Sequence, residues 1–251
     1  MTVTVFENYE SLSAHAASLI ADALKRKPSL TLCMASGHTP ARTCELLVKM
    51  IKEENMDPSA LRFIGLDEWA GLSPENPGSC HYFFKTKLID PLQLHSSRYF
   101  LFDALSADLP AECRKMDAVI AENGIDVMLV GIGMNGHIGF NEPGISFDLP
   151  CHVAKLEEIT KEVGQKYFNG ETELDKGITI GLKHFMNAST VILMANGAKK
   201  AGVIQQAVKG PVSEQFPAAI IQRHRNGAVL IDKEAASQLE NGLNGLADCR
   251  G

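Results

Sequence analysis

Short apolar runs alternate with amphipathic stretches along the whole chain. Five runs predict β-strands: LTLCMA at 30–35, LRFIGL at 61–66, DVMLVGI at 126–132, TVILMA at 190–195 and GAVLID at 227–232. Between them, apolar residues recur at helical spacing, weakly over residues 108–123 and clearly at Leu12, Ala16, Leu19, Ile20 and Ala23. The pattern therefore predicts strands and helices in alternation.

This alternation is typical of right-handed βαβ crossovers, which build a mainly parallel sheet with helices on both faces. The sequence predicts a doubly wound, Rossmann-like α/β fold. No repeat, low-complexity tract or Pro/Gly/Ser-rich linker interrupts the 251 residues, so we expect a single domain over residues 1–251. Residues 145–176 are polar, mixed in charge and weakly periodic, which fits either a mobile flap or an ordinary surface excursion.

Composition narrows the class of protein. A chain that is 45% hydrophobic and 22% charged is typical of globular proteins. No apolar run approaches the roughly 20 residues that span a bilayer, and the amino terminus lacks a basic-then-apolar signal, so we expect a cytoplasmic protein without a membrane partner. The net charge is −6 and the basic residues are dispersed, which argues against a nucleic-acid partner. Six cysteines without a CxxC pair are expected to be reduced thiols: Cys33, Cys44, Cys80, Cys113, Cys151 and Cys249.

In doubly wound sheets ligands bind beyond the carboxyl ends of the strands, so the loops after the apolar runs are the first place to look for chemistry. The loop SGHTP at 36–40 lies between a strand and a helix start. Gly37 permits a tight turn, Ser36 and Thr39 offer hydroxyls, and the helix start offers free N–H groups, a combination that favours a phosphate. The alternative is that Ser36 or Thr39 only caps the helix.

The second loop, LDEWAGL at 66–72, places two carboxylates at the end of an apolar strand. Asp67, shielded by Trp69 and the strand end, is a candidate general base because such shielding raises a carboxyl pKa towards neutrality. The alternative for Asp67 is a turn or helix cap.

The third loop, GIGMNGHIGFNEPG at 131–144, begins with a formal GxGxxG match. A dinucleotide fingerprint should open a long helix in the first βαβ unit, whereas GFNEPG would break a helix, so we reject that function. The loop carries Asn135, His137, Asn141 and Glu142, a constellation that predicts proton transfer. We expect no metal here, because His-x-x-x-His spacing and a third ligand are missing; a purely structural histidine remains the alternative.

In this order the three loops resemble the glucosamine-6-phosphate deaminase and galactosamine-6-phosphate isomerase family, with signatures S/T-G-x-T-P, L-D-E-Y/W-x-G-L and G-x-G-x-N/D-G-H-I/L-x-x-N-E-P. The resemblance covers nearly the whole chain. Four further stretches fit it: PGSC at 77–80, KGITIGLKHFMNAS at 176–189, NGAKKAG at 196–202 and GAVLIDKEAAS at 227–237.

The resemblance implies roles for the catalytic candidates. Asp67 would move a proton from carbon 2 to carbon 1 of an opened amino sugar, and His137, supported by Glu142, would open the pyranose ring. Asn135 stands where family members have Asp or Asn, so it would orient its neighbours without ionising. No cofactor is implied.

The resemblance also implies which residues bind the sugar phosphate. Lys200 occupies the position of the family's phosphate lysine, and Lys166 replaces the usual arginine, so it supplies charge without a bidentate fork. His38 replaces a common glycine. The implied phosphate site consists of Ser36, Gly37, His38, Thr39, Lys200 and Lys166.

The expected reaction is the isomerisation and deamination of a hexosamine 6-phosphate to a ketohexose 6-phosphate plus ammonia. Trp69, PGSC, LPCH at 149–152 and GITIGLK favour galactosamine 6-phosphate and tagatose 6-phosphate, with glucosamine 6-phosphate and fructose 6-phosphate as the alternative. A 6-phosphogluconolactonase would lack the N-E-P of residues 141–143, and a non-catalytic sensor would not need the intact catalytic candidates. The sequence is compatible with a homo-oligomer.

The residues LPC before His152 depart from the family's S-R-T pattern, so we expect no allosteric activation.

Overall fold

The structure, a computed structural model, describes residues 1–239. Its strands are β1 Thr2–Phe6, β2 Thr31–Met34, β3 Arg62–Gly65, β4 Asp67–Trp69, β5 Tyr99–Phe100, β6 Val127–Val130, β7 His152–Lys155, β8 Lys176–Thr179, β9 Thr190–Ala195 and β10 Gly227–Asp232. Its α-helices are α1 Tyr9–Arg26, α2 His38–Glu53, α3 Cys80–Phe84, α4 Asp90–Leu92, α5 Leu109–Asn123, α6 Glu158–Gly164, α7 Leu182–Asn187, α8 Ala201–Lys209 and α9 Lys233–Ala236. Cys249 lies outside the described residues.

Seven parallel strands form the main sheet, in the order β1-β10-β9-β6-β2-β3-β5. Alternate residues of β2 enter two different hydrophobic clusters: Leu32 and Met34 pack with α1 and α2, whereas Cys33 packs with α5 and α8. Both faces of the sheet are therefore covered by helices, and this explains why every residue of β2 and β6 is buried. The predicted doubly wound α/β fold is confirmed.

A second sheet is a finding that the apolar pattern did not predict. Strands β4, β8 and β7 form a three-stranded antiparallel sheet, in which Asp67 pairs with Thr179 and His152 pairs with the same threonine from the other side. These strands have only three or four residues each, which is too short for a period of two to be read from sequence. Much of the segment 145–176 is thus regular structure; its mobility remains a prediction.

The order of the main sheet defines where a ligand can bind. From β2 the chain proceeds to β3 and β5 on one side, and from β6 it proceeds to β9 and β10 on the other. The carboxyl ends of β2 and β6 therefore flank a topological switch point, where the connecting loops diverge and leave a crevice. Residues 36–39 and 131–144 follow these two strands directly. Among residues 1–239, no helix has the length and apolar content needed to cross a membrane.

Candidate active site

A cavity of about 310 Å³ lies at the switch point. Eight of the ten predicted site residues line it: Ser36, Gly37, His38, Thr39, Asp67, His137, Lys166 and Lys200. The other two, Asn135 and Glu142, contact each other behind His137, where Glu142 is only 3% exposed. Residues that the sequence places up to 164 positions apart are therefore brought to one cavity or its wall.

The loop at 36–39 presents an uncapped helix end to the cavity. Gly37 precedes α2 with a φ of +109°, and no side chain caps the helix. Thr39 Oγ1 donates instead to Asn196 Oδ1 at 3.0 Å, so the capping alternative for this loop is wrong. Tyr9 holds the loop from outside, with its hydroxyl 2.7 Å from the carbonyl oxygen of His38. The free N–H groups and dipole of a 16-residue helix favour an anion at this end.

Basic side chains surround the same end of the cavity. Lys200 Nζ donates to the carbonyl oxygen of Ile132 at 2.5 Å; burial, and then the charge of Lys166, lowers the pKa of Lys200 to about 8. Lys166 Nζ lies 4.9 Å from the centre of the Tyr167 ring, and partial burial lowers its pKa. His38 stacks on the same ring at 5.2 Å. No carboxylate of the described residues contributes to either lysine pKa shift, so both ammonium groups are available to an anion.

Asp67 lines the same cavity as the first residue of β4. Burial, and then the charge of Glu68, raises the pKa of Asp67 to about 7. Gly139 leaves room beside it: a Cβ on that glycine would lie 3.3 Å from Asp67 Oδ2. A carboxyl group with a pKa near neutrality can both accept and return a proton at physiological pH. We propose Asp67 as the general base, as the sequence predicted.

The neighbouring carboxylate has a structural role. Glu68 is 3% exposed and accepts the backbone N–H groups of Trp69, Cys80 and His81 at 2.9, 2.9 and 2.7 Å. Its oxygens are therefore occupied in fixing the start of α3 against β4. Trp69 lines the cavity and packs on Phe140, at 4.7 Å between ring centres. Of the two carboxylates only Asp67 lines the cavity, and its role as the base shielded by Trp69 remains a prediction.

A hydrogen-bonded cluster orients His137. Its Nδ1 lies 3.2 Å from Glu142 Oε2 and 3.1 Å from Thr160 Oγ1. Asn135 Nδ2 donates at 2.8 Å both to Glu142 Oε2 and to Glu157 Oε2. Burial raises the pKa of Glu142, but hydrogen bonds from His137, Thr160 and Asn135 outweigh it, so the pKa is lowered. An ionised Glu142 is placed to accept a hydrogen bond from Nδ1–H of His137.

The glycines of the third loop make room for this histidine. A Cβ at Gly133 would lie 2.3 Å from His137 Nε2, so only a glycine lets the ring lie against the loop. Residues 139–144 form turns and an isolated bridge between Ile138 and Asn141, and the next helix is α6. The loop does not open a helix, which confirms the rejection of the dinucleotide fingerprint.

Sequence reasoning missed several residues of the site. Thr160 and Tyr167 lie in the weakly periodic segment and carried no signal. Cys80 belongs to the PGSC motif, which the resemblance marked without assigning a role. Its Sγ lies between Ser36 Oγ and Asp67 Oδ1, at 3.0 and 3.7 Å.

One group of side chains in residues 1–239 has the composition of a metal site. Ligand atoms of Asp117, Cys151 and His184 lie within 4.8 Å of one another. Asp117 Oδ1 already accepts the backbone N–H of Cys151 at 3.0 Å and lies 2.7 Å from His184 Nε2, so hydrogen bonds account for the arrangement. None of the three lines the cavity.

Comparison with known proteins assigns the chain to a family of enzymes. The chain matches the glucosamine-6-phosphate isomerases/6-phosphogluconolactonase family over residues 6–231. A solved structure of a trypanosomal (Trypanosoma brucei) 6-phosphogluconolactonase has a TM-score of 0.76 at 22% identity, covering 95% of this chain and 98% of that one, which shows a shared fold. The protein belongs to this family.

More similar relatives lie within one branch of it. The chain is 40% identical over 238 residues to the glucosamine-6-phosphate deaminase of Bacillus velezensis, covering 94% of this chain and 99% of that protein. It is 37% identical to glucosamine-6-phosphate deaminase 1 of Bacillus subtilis over 94% and 99% of the two chains. A solved structure described as a monomeric glucosamine-6-phosphate deaminase has a TM-score of 0.92 at 37% identity and covers 95% of this chain and 100% of its own. The resemblance that the motifs indicated is confirmed.

Proposed function

We propose that this protein converts a hexosamine 6-phosphate into a ketohexose 6-phosphate and ammonia, with the consumption of one water molecule. The observation that carries the proposal is the composition of one cavity. Asp67, with a pKa of about 7, and His137, which is paired with Glu142, line it together with the uncapped start of α2 and two lysines.

Ring opening is assigned to His137. Its Nε2 takes the proton of the anomeric hydroxyl and returns a proton to the ring oxygen as the carbon–oxygen bond breaks. Glu142 holds the Nδ1 proton and stabilises the imidazolium that forms between these two transfers. Asn135 donates to the same carboxylate oxygen and keeps it in position.

Isomerisation is assigned to Asp67. Its carboxylate removes the proton from carbon 2 of the open-chain aldehyde while the substrate ammonium group gives a proton to the carbonyl oxygen at carbon 1, which yields an enolamine. Asp67 then delivers its proton to carbon 1. The product is an iminium group at carbon 2. Water adds to this carbon, the carbon–nitrogen bond breaks, and ammonia leaves with the water oxygen retained as the ketone. The atoms balance without an external oxidant, reductant or cofactor.

The phosphate end supplies binding energy that positions these carbons. Ser36, Thr39, the start of α2, Lys200 and Lys166 all lie on the cavity wall and offer donors or positive charge. Fixing the phosphate restricts the open-chain sugar, so that carbon 2 stays opposite Asp67. The role of Lys166 at the phosphate is part of this proposal.

Relatives favour glucosamine 6-phosphate as the substrate, with fructose 6-phosphate as the product, because the most similar relatives described above are named glucosamine-6-phosphate deaminases. The sequence-based preference for galactosamine 6-phosphate is not confirmed. That preference depended partly on Trp69, which packs on Phe140 and Phe168 in the cavity wall. This packing gives no means of distinguishing the two sugars, which differ only in the configuration of carbon 4.

The test is ammonia release from the purified protein with glucosamine 6-phosphate and galactosamine 6-phosphate in parallel. Asp67→Asn is the matched control, because it keeps the shape of the side chain and removes the base. We expect release mainly from glucosamine 6-phosphate and its loss in the variant. Hydrolysis of 6-phosphogluconolactone, or binding of either sugar phosphate without turnover by a folded protein, would contradict the proposal in favour of a lactonase or a sensor.

A further inference from the structure

Cys80 is the side chain that joins the phosphate loop to the general base. Its Sγ lies 3.0 Å from Ser36 Oγ and 3.7 Å from Asp67 Oδ1, and all three residues line the cavity. A carboxylate only accepts, so the thiol donates its proton to Asp67, and the sulfur accepts from the Ser36 hydroxyl. The two contacts form one chain of hydrogen bonds from the loop after β2 to the first residue of β4.

The position of the thiol is fixed through its backbone. Cys80 is the first residue of α3, its N–H donates to Glu68 Oε1 at 2.9 Å, and Ser79 caps the helix by accepting the N–H of Tyr82 at 3.0 Å. The residue is 5% exposed. Because Glu68 follows Asp67 in β4, the strand that carries the base also holds the residue that donates to it.

The surroundings of Asp67 make this donor effective. Burial and the charge of Glu68 raise the pKa of Asp67, and the hydrogen bond from Cys80 lowers it. Within residues 1–239, four titratable residues interact electrostatically with Asp67. They are Glu68 on the same strand, Cys33 on β2, Cys80 on α3 and Tyr167 in the turn after α6. The cavity that Asp67 lines also contains His137, Lys166 and Lys200.

We propose that Cys80 is a positioning residue: it holds Asp67 Oδ1 for proton transfer and, through Ser36, connects occupancy of the phosphate loop to the base. A phosphate in the loop offers the Ser36 hydroxyl a stronger, charged acceptor than a thiol sulfur. The Ser36 proton then leaves the sulfur, and the donation from the thiol to Asp67 changes. The catalytic meaning of this link rests on the proposed deaminase function; the link itself does not.

The link is tested without turnover by a ¹³C nuclear magnetic resonance titration of the aspartate carboxyl groups, with Asp67 assigned by the resonance lost in Asp67→Asn. We expect Cys80→Ala to raise the Asp67 pKa by about half a unit to one unit, because the charged form loses a donor. Cys80→Ser, which restores an O–H donor, is expected to return it to the wild-type value or below. Cys113→Ala is the matched control, because Cys113 is also 5% exposed but lies in α5.

A double-mutant cycle tests the connection to the loop. We expect Ser36→Ala to raise the Asp67 pKa in the wild-type background and to leave it unchanged in the Cys80→Ala background, because the serine acts on Asp67 through the sulfur. The effect of Ser36→Ala on KM is expected in both backgrounds, because its hydroxyl also faces the phosphate.

Kinetics supply the last readout. In Cys80→Ala we expect kcat to fall by about tenfold while KM stays within about twofold of the wild-type value. The acidic limb of the pH profile of kcat/KM is expected to move to higher pH. Cys80→Ser is expected to restore both kcat and the position of this limb. An unshifted Asp67 titration in folded Cys80→Ala, or equal Ser36→Ala shifts in both backgrounds, would overturn the proposal. Absence of ammonia release from the wild-type protein would refute only the deaminase function, because the titration needs no reaction.

Discussion

Asp67 and Glu68 are adjacent carboxylates whose surroundings give them different tasks. Glu68 accepts three backbone N–H groups and anchors α3, whereas Asp67 faces the cavity with few donors and a pKa of about 7. Because few hydrogen-bond donors reach the Asp67 carboxylate, its ionisation lowers the free energy of unfolding of the protein. This cost can be measured at the level of the single residue.

Replacing Asp67 by Asn is expected to stabilise the protein near pH 8 while abolishing turnover. The folded-state pKa of about 7 exceeds the ordinary value of 3.8, so between these values the native state binds more protons and the wild-type stability falls as pH rises. The amide does not titrate and avoids this loss. We expect a gain of roughly 2 kcal/mol at pH 8 and little gain at pH 4.5, measured by denaturant unfolding. An equal gain at both pH values would contradict this account.

The lowered pKa of Lys200 predicts that substrate capture, measured as kcat/KM, weakens at high pH. Its pKa of about 8 in the free protein means that its charge is lost above that pH, so kcat/KM is expected to fall there. Lys200→Met keeps an unbranched side chain but removes the ammonium group, and is expected to reduce kcat/KM by about tenfold to a hundredfold at pH 7 and to abolish the basic limb. A basic limb that persists in the variant would assign it to another group.

The contact between Gly133 and His137 offers a test of how precisely the imidazole ring must be positioned for catalysis. A Cβ there would lie 2.3 Å from His137 Nε2, closer than any real contact, so Gly133→Ala displaces the ring. We expect kcat to fall by about a hundredfold while the fold persists. Gly202→Ala is the control, because its Cβ would make only an ordinary contact of 3.6 Å. Similar activity in both variants would show that the position of the ring tolerates this shift.

At the scale of elements, the small antiparallel sheet assembles the site. Strand β4 carries Asp67, β8 carries Thr179, and Thr179 Oγ1 accepts the N–H of Phe140 in the third loop at 3.2 Å. Strand β7 continues towards α6, which supplies Thr160, and the following turn, which supplies Tyr167 and Lys166. One side of the cavity thus belongs to the segment 145–176.

This arrangement predicts closure of residues 156–168 over a bound sugar phosphate. The ammonium group of Lys166 gains an anionic partner when the cavity is filled, so local opening becomes less favourable. We expect amide hydrogen exchange in this segment to slow on addition of glucitol 6-phosphate, a non-reacting analogue, and exchange in α1 to stay unchanged. Equal exchange in 156–168 with and without the analogue would contradict closure of these residues, and equal exchange over all of 145–176 would contradict the predicted flap.

At the scale of the whole molecule, one chain supplies both the proposed phosphate-binding groups and the proposed acid–base groups of the cavity. Lysines, helix end, base and histidine all line it together, so the described residues need no second copy to complete it. We therefore expect constant specific activity on dilution and a hyperbolic rate curve that N-acetylhexosamine 6-phosphates leave unchanged. Light scattering at each dilution identifies the oligomeric state. Activity lost on dilution, or a sigmoidal curve, would contradict a self-sufficient chain.

The sequence by itself determined the architecture and the three loops of the site. The buried strands are continuous apolar runs because both faces of a parallel sheet are covered, and this pattern is local enough to read. Asp67, His137 and the loop at 36–39 were predicted because each directly follows such a run.

Only the tertiary structure decided how these loops meet and which groups support them. The short strands β4, β7 and β8 carry no periodicity, and pairing between distant segments sets their positions. Cys80, Thr160 and Tyr167 reach the cavity through that pairing. The pKa of Asp67 likewise depends on burial and on contacts from other elements, which are properties of the folded chain and have no counterpart in residue spacing.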